Sequence, residues 1–293
     1  MSPLWGRREF LGLLAASAFV RTARAAATPR IAAIDWAMLE TSVALGVMPV
    51  AATELIQFRA GAVEPTLPRS VADLGLRGAP NFELLQLSRP DLILISPFYT
   101  RYTSRLETIA PVFSLPFYVK GEPPFGKALA AVTALGQRLD RTEEAKRVLA
   151  ETEKALQTMR ARLAAFSGRP TYVINIGDAR HFRAFGSDSM FGDILGRLGL
   201  ANAWVDRSQF TFAAPVPIEN LAASPEARIV IVSDIPVEAR ESLRNSAIWR
   251  ALPAVRDGRV VELANVAPYG GITAGMRFAR LLTEAMLARG DSL

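Results

Sequence analysis

The chain has no cysteine and a single histidine, His181, among 293 residues. Without cysteine there is no disulfide, no thiolate nucleophile and no sulfur-ligated metal site. With one histidine, neither a His-rich metal site nor a Cys–His pair can be built. A Ser-His-Asp triad would have to use His181, and the Gly-x-Ser-x-Gly turn that would present its serine does not occur. Gly-x-Gly-x-x-Gly and the Gly-x-x-x-x-Gly-Lys-Ser/Thr loop are also missing, which removes the usual backbone cradles for nucleotide phosphates. Outside the N-terminus no apolar run is long enough to span a bilayer. No block of basic residues marks a nucleic-acid footprint. These absences favour binding over catalysis, with no resident cofactor, no protein-held metal and no nucleic acid.

What is present begins with an export signal. Arg7-Arg8-Glu9-Phe10-Leu11 precedes the apolar stretch Leu13–Val20, and Ala23-Arg24-Ala25 supplies a small-residue cleavage site. Adjacent arginines before Phe-Leu favour the twin-arginine route, the alternative being an ordinary secretory signal. Cleavage after Ala25 removes four arginines and one glutamate, so the formal charge of +6 falls by three. With no cysteine to carry a lipid, the expected product is a soluble periplasmic protein.

One phrase is written twice. Asn81-Phe82-Glu83-Leu84-Leu85 leads to Arg89-Pro90-Asp91-Leu92-Ile93-Leu94-Ile95-Ser96, and Pro217-Ile218-Glu219-Asn220-Leu221 leads to Pro225 and Arg228-Ile229-Val230-Ile231-Val232-Ser233. Each reads as a short helix, a Pro-containing turn and a fully apolar strand. Two copies predict two similar lobes with a ligand cleft between them. Further strands are predicted at residues 30–34, 47–51, 171–176 and 259–263, with helices at 38–46 and 274–288. In the first lobe, strand–helix alternation predicts parallel pairing with right-handed crossovers. Between the copies, Asp140 and Glu143 suggest a capping box that opens a helix running to Phe166, about 40 Å long at 1.5 Å per residue. Val148, Leu149, Leu156, Met159 and Leu163 form its apolar stripe. It reads as a stiff strut between lobes or as a long surface helix of one domain, and the flanking repeat favours the strut.

The expected fold is therefore α/β, two doubly wound lobes joined by one long α-helix with the ligand cleft between them. The divisions are a signal peptide over 1–25, an N-terminal lobe over 26–139, the connecting helix over 140–166 and a C-terminal lobe over 167–293. Ligands of doubly wound sheets bind in loops that follow strands or precede helices. Arg77, Tyr99 and Tyr269 stand in such loops. Each could hydrogen-bond a ligand oxygen or be an ordinary surface residue. Glu83 and Glu219 occupy matching positions in the two copies, where an acidic side chain also serves the helix dipole.

In this order and spacing, the residues Val71–Arg77, Pro80–Leu85, Asp178–His181, Phe185-Gly186, Ser189–Phe191, Asn202–Trp204 and Tyr269-Gly270 resemble one family. The chain is similar to the periplasmic siderophore-binding proteins of ABC importers (class III substrate-binding proteins), above all the ferric-hydroxamate-binding type. The resemblance implies a shallow aromatic cleft with little hinge closure. It implies that Arg77 and Tyr99 bond the hydroxamate oxygens, that Tyr269 lines the cleft from the second lobe, and that the siderophore carries the iron. It further implies that Glu83 and Glu219 dock a monomeric receptor on arginines of the permease, which works with its ATPase. Gly61, Thr211 and Ala267 stand where the family has pocket tryptophans, and Phe210, Phe212 and Tyr102 restore part of the aromatic wall. One arginine suits a neutral trihydroxamate. A catecholate complex would call for more, with Arg59 and Arg101 as additions. Other readings are a receptor for haem or cobalamin, with Tyr99 as a haem ligand, and an exported siderophore hydrolase.

Overall fold

The computed structural model describes residues 29–206 and 215–290, so the signal segment lies outside it. The first sheet contains β1 (Ile31–Ala33), β2 (Ala51–Ala52), β3 (Ala72–Asp73), β4 (Leu92–Ile95) and β5 (Val112–Ser114), in the order β3-β2-β1-β4-β5. All of its pairings are parallel. The chain winds outward from β1 to β3, then returns to the other side of β1, which puts the topological switch point between β1 and β4. Both of those strands are entirely buried, which is why they read as unbroken apolar runs. β2 starts at Ala51, later than the predicted 47–51, because residues 47–50 approach as an irregular segment before pairing begins.

The second sheet contains β6 (Thr171–Ile176), β7 (His181–Ala184), β8 (Val216–Pro217), β9 (Arg228–Val232) and β10 (Val260–Leu263), in the order β10-β9-β6-β7-β8. β6, β9 and β10 are parallel, but β7 is antiparallel to both β6 and β8. The second sheet is therefore mixed, unlike the first. The four residues 177–180 between β6 and β7 allow only a hairpin, since a parallel crossover needs a dozen or more.

The repeated phrase folds similarly but not identically. In the first copy, Asn81 Oδ1 accepts from the Leu84 N–H at 2.9 Å and starts an α-helix over Phe82–Leu87. In the second, Pro217 holds the cap position without a capping side chain, and Ile218–Ala223 is a 3₁₀ helix. The strand that follows is fully buried in both.

The long helix spans Thr142–Arg162. It is about 32 Å long at 1.5 Å per residue, shorter than expected. The predicted capping box does not form. Asp140 has φ +56° and belongs to the turn after the helix Phe125–Arg138, and Arg141, in the cap position, makes no side-chain capping bond. The Arg141 N–H instead donates to Gly136 O at 2.7 Å. Leu156, Met159 and Leu163 of the apolar stripe are buried, with Val148 and Leu149 packed at the edge.

The lobes are joined by much more than this helix. One hydrophobic cluster takes in Ile31, Met38 and Phe125 before the long helix, Leu156 and Met159 within it, and Phe191, Val230 and Phe278 after it. Helices Trp36–Ala44, Phe125–Arg138, Met190–Arg197 and Ile272–Arg289 contribute to this shared central layer. Separate clusters cover the outer face of each sheet. Polar bonds cross the same junction. Glu64 pairs with Arg277 at 2.6 Å and Arg280 at 2.7 Å, and the Phe125 N–H donates to Asp193 Oδ2 at 2.8 Å.

The most buried of these links is Glu40, fully enclosed in the Trp36–Ala44 helix. Its Oε2 accepts from the Gly271 N–H at 2.7 Å and the Ala274 N–H at 2.9 Å, closing the N-terminus of the Ile272–Arg289 helix. Oε1 has no hydrogen-bond partner. Burial raises the Glu40 carboxyl to about 8, against the lowering effect of the two backbone donors, and the charges of Asp35 and Glu64 add to the rise.

Two outcomes are expected. The unfolded chain releases the Glu40 proton near 4.5, while the folded protein keeps it to about 8. The native state binds the extra proton between those values, so this group's contribution to stability is complete below the unfolded value and is lost as pH rises through that window. Glu40→Gln keeps an oxygen for the two N–H donors and removes the titration. The stability difference between variant and wild type, from denaturant unfolding at pH 5 and pH 9, should therefore shift in favour of the variant at high pH. A difference independent of pH would refute the assignment. Second, because the lobes share a core, small-angle scattering should give the same radius of gyration with and without ligand. A marked compaction on binding would show a hinge that this packing excludes.

Candidate functional site

The carboxyl ends of the first sheet converge on one polar cluster at the switch point. After β1, Asp35 caps the Trp36–Ala44 helix, accepting from the N–H groups of Ala37 at 2.8 Å and Met38 at 3.1 Å. After β4, Ser96 Oγ donates to Asp35 Oδ2 at 2.8 Å, tying the two central strands together. After β2 comes Glu54, in the left-handed region at φ +51°. After β3, the loop bearing Arg77 folds back on Glu54. The Arg77 backbone N–H donates to Oε1 at 3.0 Å and its Nε–H to Oε2 at 2.6 Å. The guanidinium lies 4.1 Å from the centroid of the Trp36 ring, a cation–π contact. Trp36 in turn donates its indole N–H to Thr53 O at 3.0 Å.

Tyr99 stands beside this cluster, within electrostatic reach of Asp35, Arg77 and Glu54. Partial burial and the nearby Asp35 charge raise its phenol to about 12, so it remains a hydrogen-bond donor at neutral pH. Burial also raises the Asp35 carboxyl, opposed by the bonds from Ser96 and the helix N-terminus and by the Arg77 charge. The structure thus brings Arg77 and Tyr99 together and adds Trp36, Asp35 and Glu54. Leu76 and Phe98, exposed at 61% and 70%, give the neighbouring loops an apolar rim.

Tyr269 comes from the second lobe, in the loop after β10. Its ring packs edge-on against Tyr118 at 5.2 Å, and Tyr118, in the segment after β5, donates its hydroxyl to Gly270 O. Burial raises both phenols. Gly270 has no room for a side chain, since a Cβ there would lie 2.3 Å from Glu40 Oε1 and 2.4 Å from Ala274 Cβ. Glu40 and Tyr118, both from the first lobe, therefore hold the loop that presents Tyr269.

Other predicted residues occupy different settings. Tyr102 is half-buried, with its ring 5.9 Å from Phe82 and its hydroxyl donating to Gly78 O. It thereby braces the Arg77 loop. Arg101 stacks 4.7 Å over the Tyr102 ring, and Arg59 donates to Pro68 O at 3.2 Å. Phe210 and Phe212, with Thr211, lie outside the described residues. Gly61 closes a short helical turn and Ala267 is buried. Glu83 and Glu219 are both exposed, each in the first turn of its short helix. His181 opens β7, and its Nδ1 lies 3.1 Å from Asp178 Oδ1. Among the described residues, no group of three His, Cys, Asp or Glu side chains comes together that could hold a metal ion.

Trp36, Asp35, Glu54 and Tyr118 escaped the sequence reading because they belong to separate loops that only the sheet order assembles. The one available signal was position, since Asp35 and Glu54 follow predicted strands, as Tyr99 does.

The model of a periplasmic binding protein family matches residues 31–267. The chain is 32% identical over 289 residues to the iron(3+)-hydroxamate-binding protein FhuD of Escherichia coli, covering 97% of both chains. It is 22% identical to the Fe(3+)-citrate-binding protein YfmC of Bacillus subtilis, over 80% of this chain and 72% of that one. Among solved structures, the siderophore-binding protein FhuD of Vibrio cholerae, bound to Fe3+–Desferal, superposes with a TM-score of 0.83 at 25% identity, covering 89% of this chain and 98% of that one. Sheet order, helical junction and sequence together place the chain in the periplasmic binding protein family, as a substrate-binding protein and not an enzyme.

Proposed function

We propose that this protein captures iron(III)-hydroxamate siderophores in the periplasm, after export by its N-terminal signal, and delivers them as a monomer to an inner-membrane ABC permease and its ATPase. The observation that carries this reading is the Arg77–Tyr99 pair at the first switch point. Oxygens of a ferric hydroxamate keep partial negative charge while bound to iron. The Arg77 Nη N–H groups and the Tyr99 hydroxyl are donors suited to them. Trp36 covers one face of the guanidinium and Glu54 fixes its direction, so the donors are set before the ligand arrives. Glu54 also offsets the Arg77 charge, which fits a chelate that is not strongly anionic. Tyr269 faces the ligand from the second lobe, and the siderophore supplies all the ligands of the iron. Tyr102, Phe210 and Phe212 extend the aromatic wall in this proposal. The hydroxamate and Desferal ligands of the two FhuD relatives support the substrate class.

Glu83 and Glu219 are proposed as permease contacts. Each stands exposed on a short helix before a central strand, one per lobe, on a body whose lobes are locked together. Two weak contacts on a rigid body reinforce one another through effective concentration.

Tyr99→Phe, which removes one hydroxyl, should weaken ferric-hydroxamate binding by about 0.5–1.5 kcal/mol, and Arg77→Ala by about 1.5–3 kcal/mol, the ranges for neutral and charged hydrogen bonds. Quenching of tryptophan fluorescence by the ferric chelate measures both. Unchanged affinity in folded variants would remove the pair from the site. Reversing both Glu83 and Glu219 to Arg should leave that affinity intact and abolish uptake in cells that depend on this protein. Each single reversal should have a smaller effect. Normal uptake by the double variant would leave the helix dipole as the account of both glutamates.

A further inference from the structure

Arg77 is held from behind. Glu54 Oε1 accepts from its backbone N–H at 3.0 Å and Glu54 Oε2 from its Nε–H at 2.6 Å. Both carboxylate oxygens are spent at the base and inner edge of the side chain, and neither bond uses an Nη group. A fork-on-fork pair would engage an Nη group as well. This pairing therefore cancels charge without taking up the donor end. The backbone is shaped for it. Glu54 sits at φ +51°, a region that non-glycine residues seldom adopt. Its N–H donates to Gly75 O at 2.8 Å, which ties the loop after β2 to the loop that carries Arg77. The Glu54 side chain is 15% exposed and that of Arg77 30%, so water only partly screens the pair.

Neighbouring charges at this end of the sheet are engaged with backbone groups. Asp35 caps the Trp36–Ala44 helix. Asp73 accepts from the N–H groups of Leu55 at 3.1 Å and Gly75 at 3.0 Å. Arg59 and Arg101 donate to the carbonyls of Pro68 and Gly78. Among the described residues, Glu54 is the carboxylate that forms a salt bridge with Arg77. The net charge that Arg77 shows to the cleft is thus set by one side chain.

We propose that Glu54 is a specificity-determining residue of the binding site, cancelling the charge of Arg77 while leaving its Nη donors in place, and so selecting neutral and cationic ferric hydroxamates over anionic ones. This rests on the siderophore reading and deepens it, from a class of chelate to a charge state. An anionic group on the chelate is attracted by Arg77 and repelled by Glu54 nearly as strongly. It must still shed water on entering the cleft, and nothing in the pair offsets that cost. A neutral chelate meets no such cost, and its iron-bound oxygens still find the Arg77 donors. A cationic chelate sheds water too, but Glu54 faces it with a charge of opposite sign.

Three forms of one chelate test this. Fe3+–Desferal carries a free cationic amine, its N-acetyl derivative is neutral, and its N-succinyl derivative ends in a carboxylate. Wild type should bind the succinyl form most weakly of the three. Glu54→Gln keeps the length of the side chain and an acceptor oxygen for Arg77 but removes the charge. It should raise the ratio of succinyl to amine affinity roughly tenfold, with the acetyl form changing least. Glu54→Asn, whose side chain suits the left-handed backbone, should move the ratio the same way and stands in if the Gln variant does not fold. A wild type that prefers the succinyl form would overturn the role of Glu54. So would a ratio that neither variant changes, including a uniform loss of affinity for all three forms, which would mark Glu54 as a structural support alone. Both results leave the hydroxamate reading in place, whereas failure of wild type to bind any of the three would overturn both.

Discussion

A buried carboxyl group of one lobe closes the N-terminus of the last helix of the other. Through Glu40, Gly271 and Ala274, the first lobe fixes where the Ile272–Arg289 helix begins. The preceding loop is then held from both sides, by Glu40 beneath Gly270 and by the Tyr118 hydroxyl on the Gly270 carbonyl. The position of Tyr269 therefore belongs to the junction and not to the second lobe alone. The cost is a buried carboxyl with an unpartnered oxygen, tolerated where two N–H groups and a helix end meet it. The shared apolar layer, with the Phe191 and Phe278 ring centroids 4.6 Å apart within it, keeps these groups in register.

Given that fixed frame, the site needs little motion. Each sheet presents its carboxyl end at the junction, and the first switch point carries Arg77 beside Glu54 and Trp36, which orient it. The left-handed backbone at Glu54 and at Ser233, φ +51° and +68°, occurs where β2 and β9 leave their sheets. Non-glycine residues in that region concentrate where backbone direction serves a site.

The strands were the most legible part of the chain. Leu92–Ile95 and Arg228–Val232 are buried on both faces, so the apolar run itself is the signal. The β6–β7 hairpin went unread because no strand was predicted at His181–Ala184, and the four-residue connection decides its pairing. The Asp140 cap was misread because a capping-box pattern is local, and here the turn packs Arg141 onto the preceding helix instead. The placement of Arg77 and Tyr99 was legible because both stand in loops that follow strands of the first sheet, and their roles come from the family resemblance as a proposal. Glu40 reads in sequence as one acidic residue on a short helix, and its burial is decided by a helix more than two hundred residues later.

The shared central cluster also bears on how the molecule holds together as a chain. Residues from before, within and after the long helix contribute to one core, whereas only the outer faces of the sheets have cores of their own. Either half cut out alone would carry a naked apolar face where Met38 or Phe278 now packs. The two lobes are thus two in architecture but one in folding, a single cooperative unit that melts together. Halves of related receptors could not be exchanged like beads on a string, because each half supplies the other's interior.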